Sequence, residues 1–390
     1  MKILVVDDAR DMRMVIQHLL KKLGHDVDTA IDGEDAWLKR IKLDYHIVVS
    51  DWNMPNLDGL ELCKRVREAS FDRYIYFILL TGKTGKKNLI SGIQAGADDF
   101  ATKPADIEEL EVRLRSAHRI LNLENTLAQK NKILEETSMS LQVDLINAEN
   151  TQLSLLPKPL DNDYIKTSWL YKPAIYVGGD TFNYFMPSKE ILVYFSIDIS
   201  GHGISSAMLS MSLQSSLAFK RGLYSNPIRT EYIADMPSIF AHNLNQMILE
   251  SSTNHYLTMN FGIIDFSNKE LHYTQAGHPH PMWYDKSLNT LEEQKIDGFP
   301  IGLVDDAEYE TQHRNFSSGD KFIIYSDGIS ENESAQGGGF LDGENLLNHF
   351  ESIKQLSTED MIGSISNNWL TKDQIKSLPD DLSVLLFEFK

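Results

Sequence analysis

The stretch KILVVDD, residues 2–8, joins a short apolar run to a pair of acidic residues. In the first 115 residues, similar apolar runs alternate with segments such as Met12–Leu23 and Leu60–Ala69, whose apolar residues recur at spacings of three and four. We predict strands at Lys2–Val6, Val27–Ala30, His46–Ser50, Ile75–Leu80 and near Phe100. Five alternations predict an α/β domain, a five-stranded doubly wound parallel sheet with helices on both faces.

Polar residues follow the predicted strands at the edge where this fold collects function. Asp7 and Asp8 follow the first strand, Asp51 the third, Thr81 the fourth and Lys103 the fifth. A carboxylate accepts a phosphoryl group only if its charge is offset, so we predict a Mg²⁺ site at Asp7, Asp8 and Asp51. Lys103 would supply a second positive charge, and Thr81 a hydrogen bond to the phosphoryl group.

Four motifs resemble the receiver domain of two-component response regulators over residues 1–118: VVDDAR, SDWNMPNLDGLEL, LLTGK and GADDFATKP. The resemblance implies that a cognate histidine kinase phosphorylates Asp51. It also implies that Thr81, Phe100 and Lys103 form the switch that responds to the phosphoryl group. The alternative is a pseudo-receiver domain that is never phosphorylated. The presence of all the key receiver residues argues against it.

A segment without Gly or Pro extends from residue 105 to residue 156 and ends at Pro157. Apolar residues recur there every seven positions, at Ile120, Leu127, Leu134, Leu141, Ala148 and Leu155. The complementary seam is mostly polar, with Leu123, Lys130, Thr137, Asp144 and Thr151. We predict a helical linker at 119–158 that pairs weakly between two copies of the chain in a homodimer. A single helix packed on its own chain is the alternative.

Residues 165–390 change to a different pattern of strands and helices. Strands are predicted at Leu192–Asp198, Met259–Ile264, Phe322–Tyr325 and Leu382–Phe389, and helices at Ser205–Phe219 and Met236–Ser251. This order predicts an α+β sandwich of two or four layers in a domain at 159–390.

Four short motifs of this second domain each place an aspartate beside a glycine or at the end of a predicted strand. Asp180 ends VGGD, Asp198 opens DISGHG, Asp327 lies in SDG and Asp380 opens DDLS. Separated carboxylates, with one cysteine in the chain, favour Mg²⁺ or Mn²⁺ over zinc. Two such ions side by side activate water for attack on a phosphoryl group, so no protein nucleophile is needed.

The second domain resembles the metal-dependent (type 2C, PPM) serine/threonine phosphatases, in particular the sporulation and stress-response branch. The matching stretches are KPAIYVGGDTFNYF, FSIDISGHGISSAMLS, TQAGHPHPMWY, GFPIGL, FIIYSDGISE and PDDLSVLLFEF. The resemblance implies two Mn²⁺ or Mg²⁺ ions held by the catalytic residues Asp180, Asp198, Asp327 and Asp380 and by the Ile199 carbonyl, with Asp381 assisting. Asn183 is a departure, because the family often has a second acid there. We interpret His202 and His278 as residues that hydrogen-bond their own loops.

The net charge of −19 excludes some functions. Residues 161–390 carry 15 basic and 31 acidic side chains, which would repel a phosphate backbone and argues against nucleic-acid binding. No apolar run reaches membrane-spanning length, and the start becomes acidic too early for a secretory signal. We therefore predict a cytoplasmic protein without a membrane partner.

The resemblance also implies a substrate, a phosphorylated anti-sigma-factor antagonist of a partner-switching pathway, under the control of Asp51 phosphorylation. A non-catalytic adaptor that binds a sigma factor is the alternative function. The four retained aspartates favour catalysis, since an adaptor has no need of them. Cyclic-dinucleotide synthesis, which the GGD string suggests, fails because Thr181 and Phe182 replace the acid and the continuation of that motif.

Overall fold

The computed structural model describes residues 1–38, 45–69, 71, 73–82, 86–104, 106–201, 203–219, 233–251, 254–330, 343–369 and 378–390. The chain divides into two compact units, Met1–Ser140 and Leu141–Lys390. No helix in these described ranges combines the length and the apolar character needed to cross a membrane.

The first unit contains a parallel sheet of five strands in the order β2-β1-β3-β4-β5. The strands are β1 (Lys2–Val6), β2 (Asp26–Ala30), β3 (Ile47–Asp51), β4 (Tyr76–Thr81) and β5 (Asp99–Thr102). The helices between them are α1 (Arg10–Lys22), α2 (Gly33–Leu38), α3 (Gly59–Glu68) and α4 (Lys86–Gln94). Two apolar clusters, one on each face of the sheet, bury alternate strand residues. The predicted doubly wound α/β fold is confirmed.

Helix α5 (Ile107–Leu155) is a single helix of 49 residues. It begins inside the predicted first domain, where Leu110, Leu114 and Leu121 are buried against the sheet. Farther along, Leu127 and Leu134 are 55% and 68% exposed. The predicted helix is therefore present, whereas the boundaries at 1–118, 119–158 and 159–390 stay predictions.

The second unit consists of two antiparallel sheets of five strands, in the orders β13-β10-β9-β8-β7 and β12-β11-β14-β15-β6. The strands of the first sheet are β7 (Thr181–Phe185), β8 (Ile191–Ile199), β9 (Leu257–Asp265), β10 (Glu270–Ala276) and β13 (Gln312–Asn315). Those of the second are β6 (Ile165–Lys172), β11 (Met282–Asp285), β12 (Thr290–Glu293), β14 (Lys321–Tyr325) and β15 (Leu382–Phe389).

Aromatic side chains fill the space between the two sheets, among them Phe182, Tyr194 and Phe322. Helices α6 (Ile204–Phe219) and α7 (Met236–Glu250) cover the outer face of the first sheet. Helices α9 (Gly343–Ile353) and α10 (Thr358–Trp369) cover the second, and α8 (Asp327–Ser330) is a single turn. The unit is thus a four-layer α+β sandwich, one of the two layer counts that the sequence predicted.

Strand register determines where the acids of the second unit lie. Thr181 at the start of β7 pairs with Ile197 near the end of β8, which brings Asp180 and Asp198 to one end of the first sheet. In the second sheet Tyr325 at the end of β14 pairs with Val384 near the start of β15. The residues that flank these strands, Asp327 and Asp380, therefore also share an end.

Candidate functional site

The first unit places three acids and a lysine at the carboxyl edge of its sheet. Asp7, Asp8 and Asp51 offer ligand oxygens that all lie within 4.8 Å of one another. The Lys103 Nζ atom lies 2.8 Å from an Asp7 oxygen and 2.7 Å from an Asp51 oxygen. Burial opposes the charged form of Lys103, but hydrogen bonds to Asp51 and Asp7 outweigh it and raise its pKa. The lysine is therefore a permanent cation beside Asp51.

Backbone contacts hold Asp7 and Asp51 in this arrangement. Asp7 is fully buried, and one of its oxygens accepts the Ala9 amide at 2.9 Å. Asp51 ends β3 and accepts the Trp52 amide at 2.7 Å. Gly59 opens α3 against this turn, and a Cβ atom there would overlap the Asp51 carbonyl.

The two other predicted switch residues lie on the neighbouring strands. Thr81 ends β4, and its carbonyl accepts the Lys103 amide at 3.0 Å. Phe100 lies on β5, half-buried, with its ring packed so closely on Gly92 that a Cβ atom there would overlap it. Both residues are thus near the acidic edge, and their switch function stays a prediction.

The second unit brings Asp198 close enough to Asp180, Asp327 and Asp380 for their charges to interact. Burial raises the pKa of Asp180 well above its ordinary value, and the Asp198 charge adds to the effect. Burial likewise raises the pKa of Asp198 to about 7, with contributions from Asp327 and Asp380. A cation bound beside Asp198 would offset this repulsion.

Two observations test whether divalent cations fit this cluster. In the part of the chain that the structure describes, Oδ2 of the buried Asp180 has no hydrogen-bond partner, so one carboxylate oxygen is left for another ligand. A Cβ atom on Gly179 would lie 2.8 Å from the Ile199 carbonyl oxygen, so this predicted backbone ligand lies beside the Asp180 segment. An all-oxygen donor set of this kind suits Mg²⁺ or Mn²⁺.

Asp381 holds the loop that carries Asp180. Its two carboxylate oxygens accept the Ala174 amide at 2.8 Å and the Gly179 amide at 2.5 Å. Burial raises the pKa of Asp381, and the backbone hydrogen bonds offset part of that increase. Because both oxygens already accept hydrogen bonds, Asp381 positions the loop, a more specific role than the assisting one predicted.

His278 is a buried, neutral side chain. Its Nδ1 lies 2.9 Å from the Thr258 hydroxyl and its Nε2 lies 3.3 Å from the Ser196 hydroxyl. Burial lowers the pKa of His278 to about 3. This arrangement agrees with a role in holding its loop, whereas His202 lies outside the described residues. Asn183 directs its side-chain oxygen to the Tyr184 amide at 2.8 Å.

Gln152, near the end of α5, is a residue of this site that no sequence motif predicted. Its side-chain amide donates to the Gly178 carbonyl at 2.7 Å, and its side-chain oxygen accepts the Gly178 amide at 3.1 Å. A second glutamine, Gln214, donates to the Leu155 carbonyl at 2.7 Å and accepts the Thr181 hydroxyl at 2.8 Å. The end of α5 is therefore bonded directly to Gly178, before Gly179 and Asp180, and through Gln214 to Thr181, after them.

Comparison with known families identifies both units. The family model of Stage II sporulation protein E (SpoIIE) matches residues 189–390, just over half of the chain. The chain belongs to the SpoIIE family. The response regulator receiver domain model matches residues 3–115. This SpoIIE-family chain therefore combines a response-regulator receiver domain with a PPM-type phosphatase domain.

Individual relatives match one unit at a time. The response regulator ArlR of Staphylococcus saprophyticus is 32% identical over 143 residues, which are 37% of this chain and 64% of ArlR. The chemotaxis protein CheY1 of Helicobacter pylori is 39% identical over 116 residues, 29% of this chain and 94% of CheY1. The SiaA-PP2C domain of Pseudomonas aeruginosa is a solved structure with a TM-score of 0.52 and 15% identity. That match covers 65% of this SpoIIE-family chain and 99% of the SiaA domain, and it shows a shared fold.

Proposed function

We propose that the chain is a response regulator in which phosphorylation of Asp51 controls a metal-dependent protein serine/threonine phosphatase. The observation that carries the proposal is the convergence of Asp180, Asp198, Asp327 and Asp380, of which Asp180 is buried and the others are partly buried, within a SpoIIE-type domain. Carboxylates that raise the pKa of a neighbouring acid, as these do at Asp198, lower stability unless a bound cation offsets their charge. Their retention therefore favours catalysis over a purely adaptor function.

The four aspartates and the Ile199 carbonyl would hold two Mn²⁺ or Mg²⁺ ions. Bound there, the ions would supply an activated water and a positive clamp for the phosphoryl group. The chain itself contributes the positioning: Asp381 fixes the Gly179–Asp180 backbone, and His278 anchors the loop after β10. Because the pKa of Asp198 is raised to about 7, cations and protons would compete for this carboxylate, and cation binding would release the proton.

In the receiver domain, Asp7, Asp8 and Asp51 would hold Mg²⁺ while a histidine kinase transfers a phosphoryl group to Asp51. The Lys103 ammonium, already bonded to Asp7 and Asp51, would offset the charge of the product. Thr81 would donate its hydroxyl to the phosphoryl group and Phe100 would change its packing, which is how the receiver face would change.

Helix α5 would transmit that change to the phosphatase site. Its first turns belong to the receiver core through Leu110 and Leu114, and its end is bonded to Gly178 through Gln152. A shift or rotation of the end of α5 would therefore move the backbone next to Asp180. In a homodimer, α5 of one chain would pair with α5 of the other. Receiver phosphorylation could then shift the equilibrium between the unpaired and the paired helix.

The substrate that SpoIIE-family membership favours is a phosphorylated serine or threonine on an anti-sigma-factor antagonist. Removal of that phosphate would let the antagonist capture an anti-sigma factor and release the sigma factor. A phosphoprotein substrate agrees with a two-ion site, since in-line attack by water needs no enzyme nucleophile.

The test is Mn²⁺-dependent hydrolysis of a generic phosphate ester, with and without a small acyl-phosphate donor for the receiver. We expect Asp198→Ala to lower the rate at least about a hundredfold, because it removes one of the carboxylates that would hold the ions. We expect Asp51→Ala to keep the basal rate and lose the effect of the donor. Asp297→Ala is the matched control, since Asp297 is an exposed acid of the same unit.

Two results would count against the proposal. If the wild-type chain shows no hydrolysis with Mn²⁺, with or without donor, the phosphatase assignment fails and capture of a sigma factor becomes the next assay. If Asp51→Ala responds to the donor like the wild-type chain, the phosphatase stands but its control by the receiver does not.

A further inference from the structure

A second group of metal-binding side chains lies apart from the aspartates. Glu270 and His272 stand two residues apart on β10, and His313 on β13 pairs directly with His272 in the strand register. The Nε2 atoms of His272 and His313 lie 3.2 Å and 3.4 Å from the two carboxylate oxygens of Glu270. All three side chains thus face one another on one side of the sheet.

Their spacing matches that of ligands around one ion. One ligand atom from each of Glu270, His272 and His313 can be chosen so that all lie within 4.8 Å of one another. Two ligands of a tetrahedral zinc, each about 2.0–2.1 Å from the metal, are about 3.3 Å apart. Two imidazoles and one carboxylate are also a donor set that zinc sites use with a fourth position open to water.

The surroundings of the three residues favour a cation. The His272 side chain is buried, whereas the His313 side chain is about half exposed. An ion bound between them would therefore be covered by protein on one side and accessible to solvent on the other. Arg314 follows His313 on β13 and pairs with Leu271 in the strand register. Its guanidinium stacks on the Trp283 ring, so the Arg314 side chain points to the face of the sheet opposite His313. Its charge therefore does not point at the histidines.

The group is distant from the aspartate cluster. In the sheet register Glu270 aligns with Asp265 of β9, and Asp265 aligns with Ile191 of β8. Asp198 lies seven residues farther along β8. At the rise of an extended strand, this separation is about 24 Å along the sheet. An ion at one place would therefore not share ligands with an ion at the other.

We propose that Glu270, His272 and His313 form a transition-metal site with Zn²⁺ as its preferred occupant. The two Nε2 atoms and one Glu270 oxygen are the protein ligands, and water or a ligand from solution takes the fourth position. The ion links β13, a four-residue edge strand, to β10. Zinc at this place acts as a clamp that stabilises the edge of the sheet.

The experiment is a Zn²⁺ titration of the untagged full-length chain after chelator treatment, in excess Mg²⁺ to occupy the carboxylate sites. A chromogenic zinc chelator would report the number of ions bound. Co²⁺ in place of Zn²⁺ would show by its visible absorption whether nitrogen ligands surround the metal. We expect one nitrogen-ligated ion per wild-type chain.

The matched variants are His313→Ala, Glu270→Gln and His242→Ala. His313 is half exposed, so its replacement spares the core, and His242 is an exposed histidine of the same unit that serves as the control. We expect His313→Ala to lose the ion, Glu270→Gln to bind it at least tenfold more weakly, and His242→Ala to resemble the wild-type chain. Absence of a nitrogen-ligated ion in the wild-type chain, or an undiminished one in His313→Ala, would overturn the proposal.

Discussion

At the residue scale, glycine allows the acidic segments of the second unit to approach one another. A Cβ atom on Gly328, just after Asp327, would overlap the Asp381 carbonyl, and one on Gly178 would overlap the Asp381 carboxylate. Close packing on Asp381 therefore explains Gly178 of VGGD and Gly328 of SDG, whereas Gly179 packs against the Ile199 carbonyl. Their role is to let two strand ends meet, so that the acids beside them share one site.

We expect Gly328→Ala to destabilise the chain by about 1–3 kcal/mol, the usual cost of overpacking, and to weaken Mn²⁺-dependent hydrolysis. Gly363→Ala is the control, because Gly363 lies in α10 and a Cβ atom added there would meet no atom within 4 Å. That change should be neutral or stabilise the helix by about 0.5–1 kcal/mol. Denaturant unfolding measures both, and equal effects would refute the packing explanation.

The lowered pKa of His278 predicts how the stability of the folded chain depends on pH. Its pKa of about 3 in the folded chain lies below its ordinary value, so below pH 6.5 the unfolded chain binds a proton that the folded chain does not. The stability from neutral His278 is thus complete above pH 6.5 and declines as the pH falls towards 3. The loss is at most about 1.4 kcal/mol per pH unit.

The variant His278→Gln should therefore lose less stability than the wild-type chain between pH 7 and pH 4, although it starts lower because the imidazole contacts to Ser196 and Thr258 change. Denaturant unfolding at several pH values gives the two curves. Parallel curves would show that His278 is not the titrating group.

At the scale of elements, the two ends of α5 pack in different surroundings. Its first turns carry core residues of the receiver sheet, and its last turn carries the buried Gln152. A continuous helix of 49 residues is possible because the segment lacks both glycine and proline. This continuity is what makes the helix a candidate for transmission.

We expect Gln152→Ala to raise the Mn²⁺ concentration needed for half-maximal hydrolysis about tenfold and to reduce the response to a phosphoryl donor. The change leaves the buried Gly178 amide and carbonyl without these partners, which costs about 1–3 kcal/mol and loosens the backbone before Asp180. Gln142→Ala, an exposed glutamine of the same helix, is the control. A lower stability with an unchanged Mn²⁺ dependence would limit Gln152 to a structural role.

At the scale of the whole molecule, the apolar residues that recur every seven positions along α5 bear on whether two chains associate. Leu127, Leu134 and Leu141 are all more than half exposed in the single chain. Apolar residues repeated every seven positions on an exposed helix are typical of a surface that pairs with another helix. The polar complementary seam indicates that such pairing is weak.

We expect the wild-type chain to associate reversibly into dimers, and Leu134→Glu to weaken that association at least tenfold. A buried charge at the seam would oppose pairing. Gln129→Glu adds the same charge to an exposed position of α5 outside either seam and should leave association unchanged. Sedimentation with and without phosphoryl donor measures the equilibrium; identical behaviour of both variants and the wild type would exclude pairing through this seam.

The sequence by itself determined the two folds and indicated candidate site residues at the ends of predicted strands. Alternating apolar runs and short motifs such as VVDD and SDG are local patterns, which predict strands and the acids at their ends without reference to the rest of the chain. The tertiary structure alone decided the bonds of Asp381 to Gly179, of Gln152 to Gly178, and the pairing of His272 with His313. These contacts join residues far apart in the chain, and they depend on strand register and buried hydrogen bonds, for which no local pattern exists.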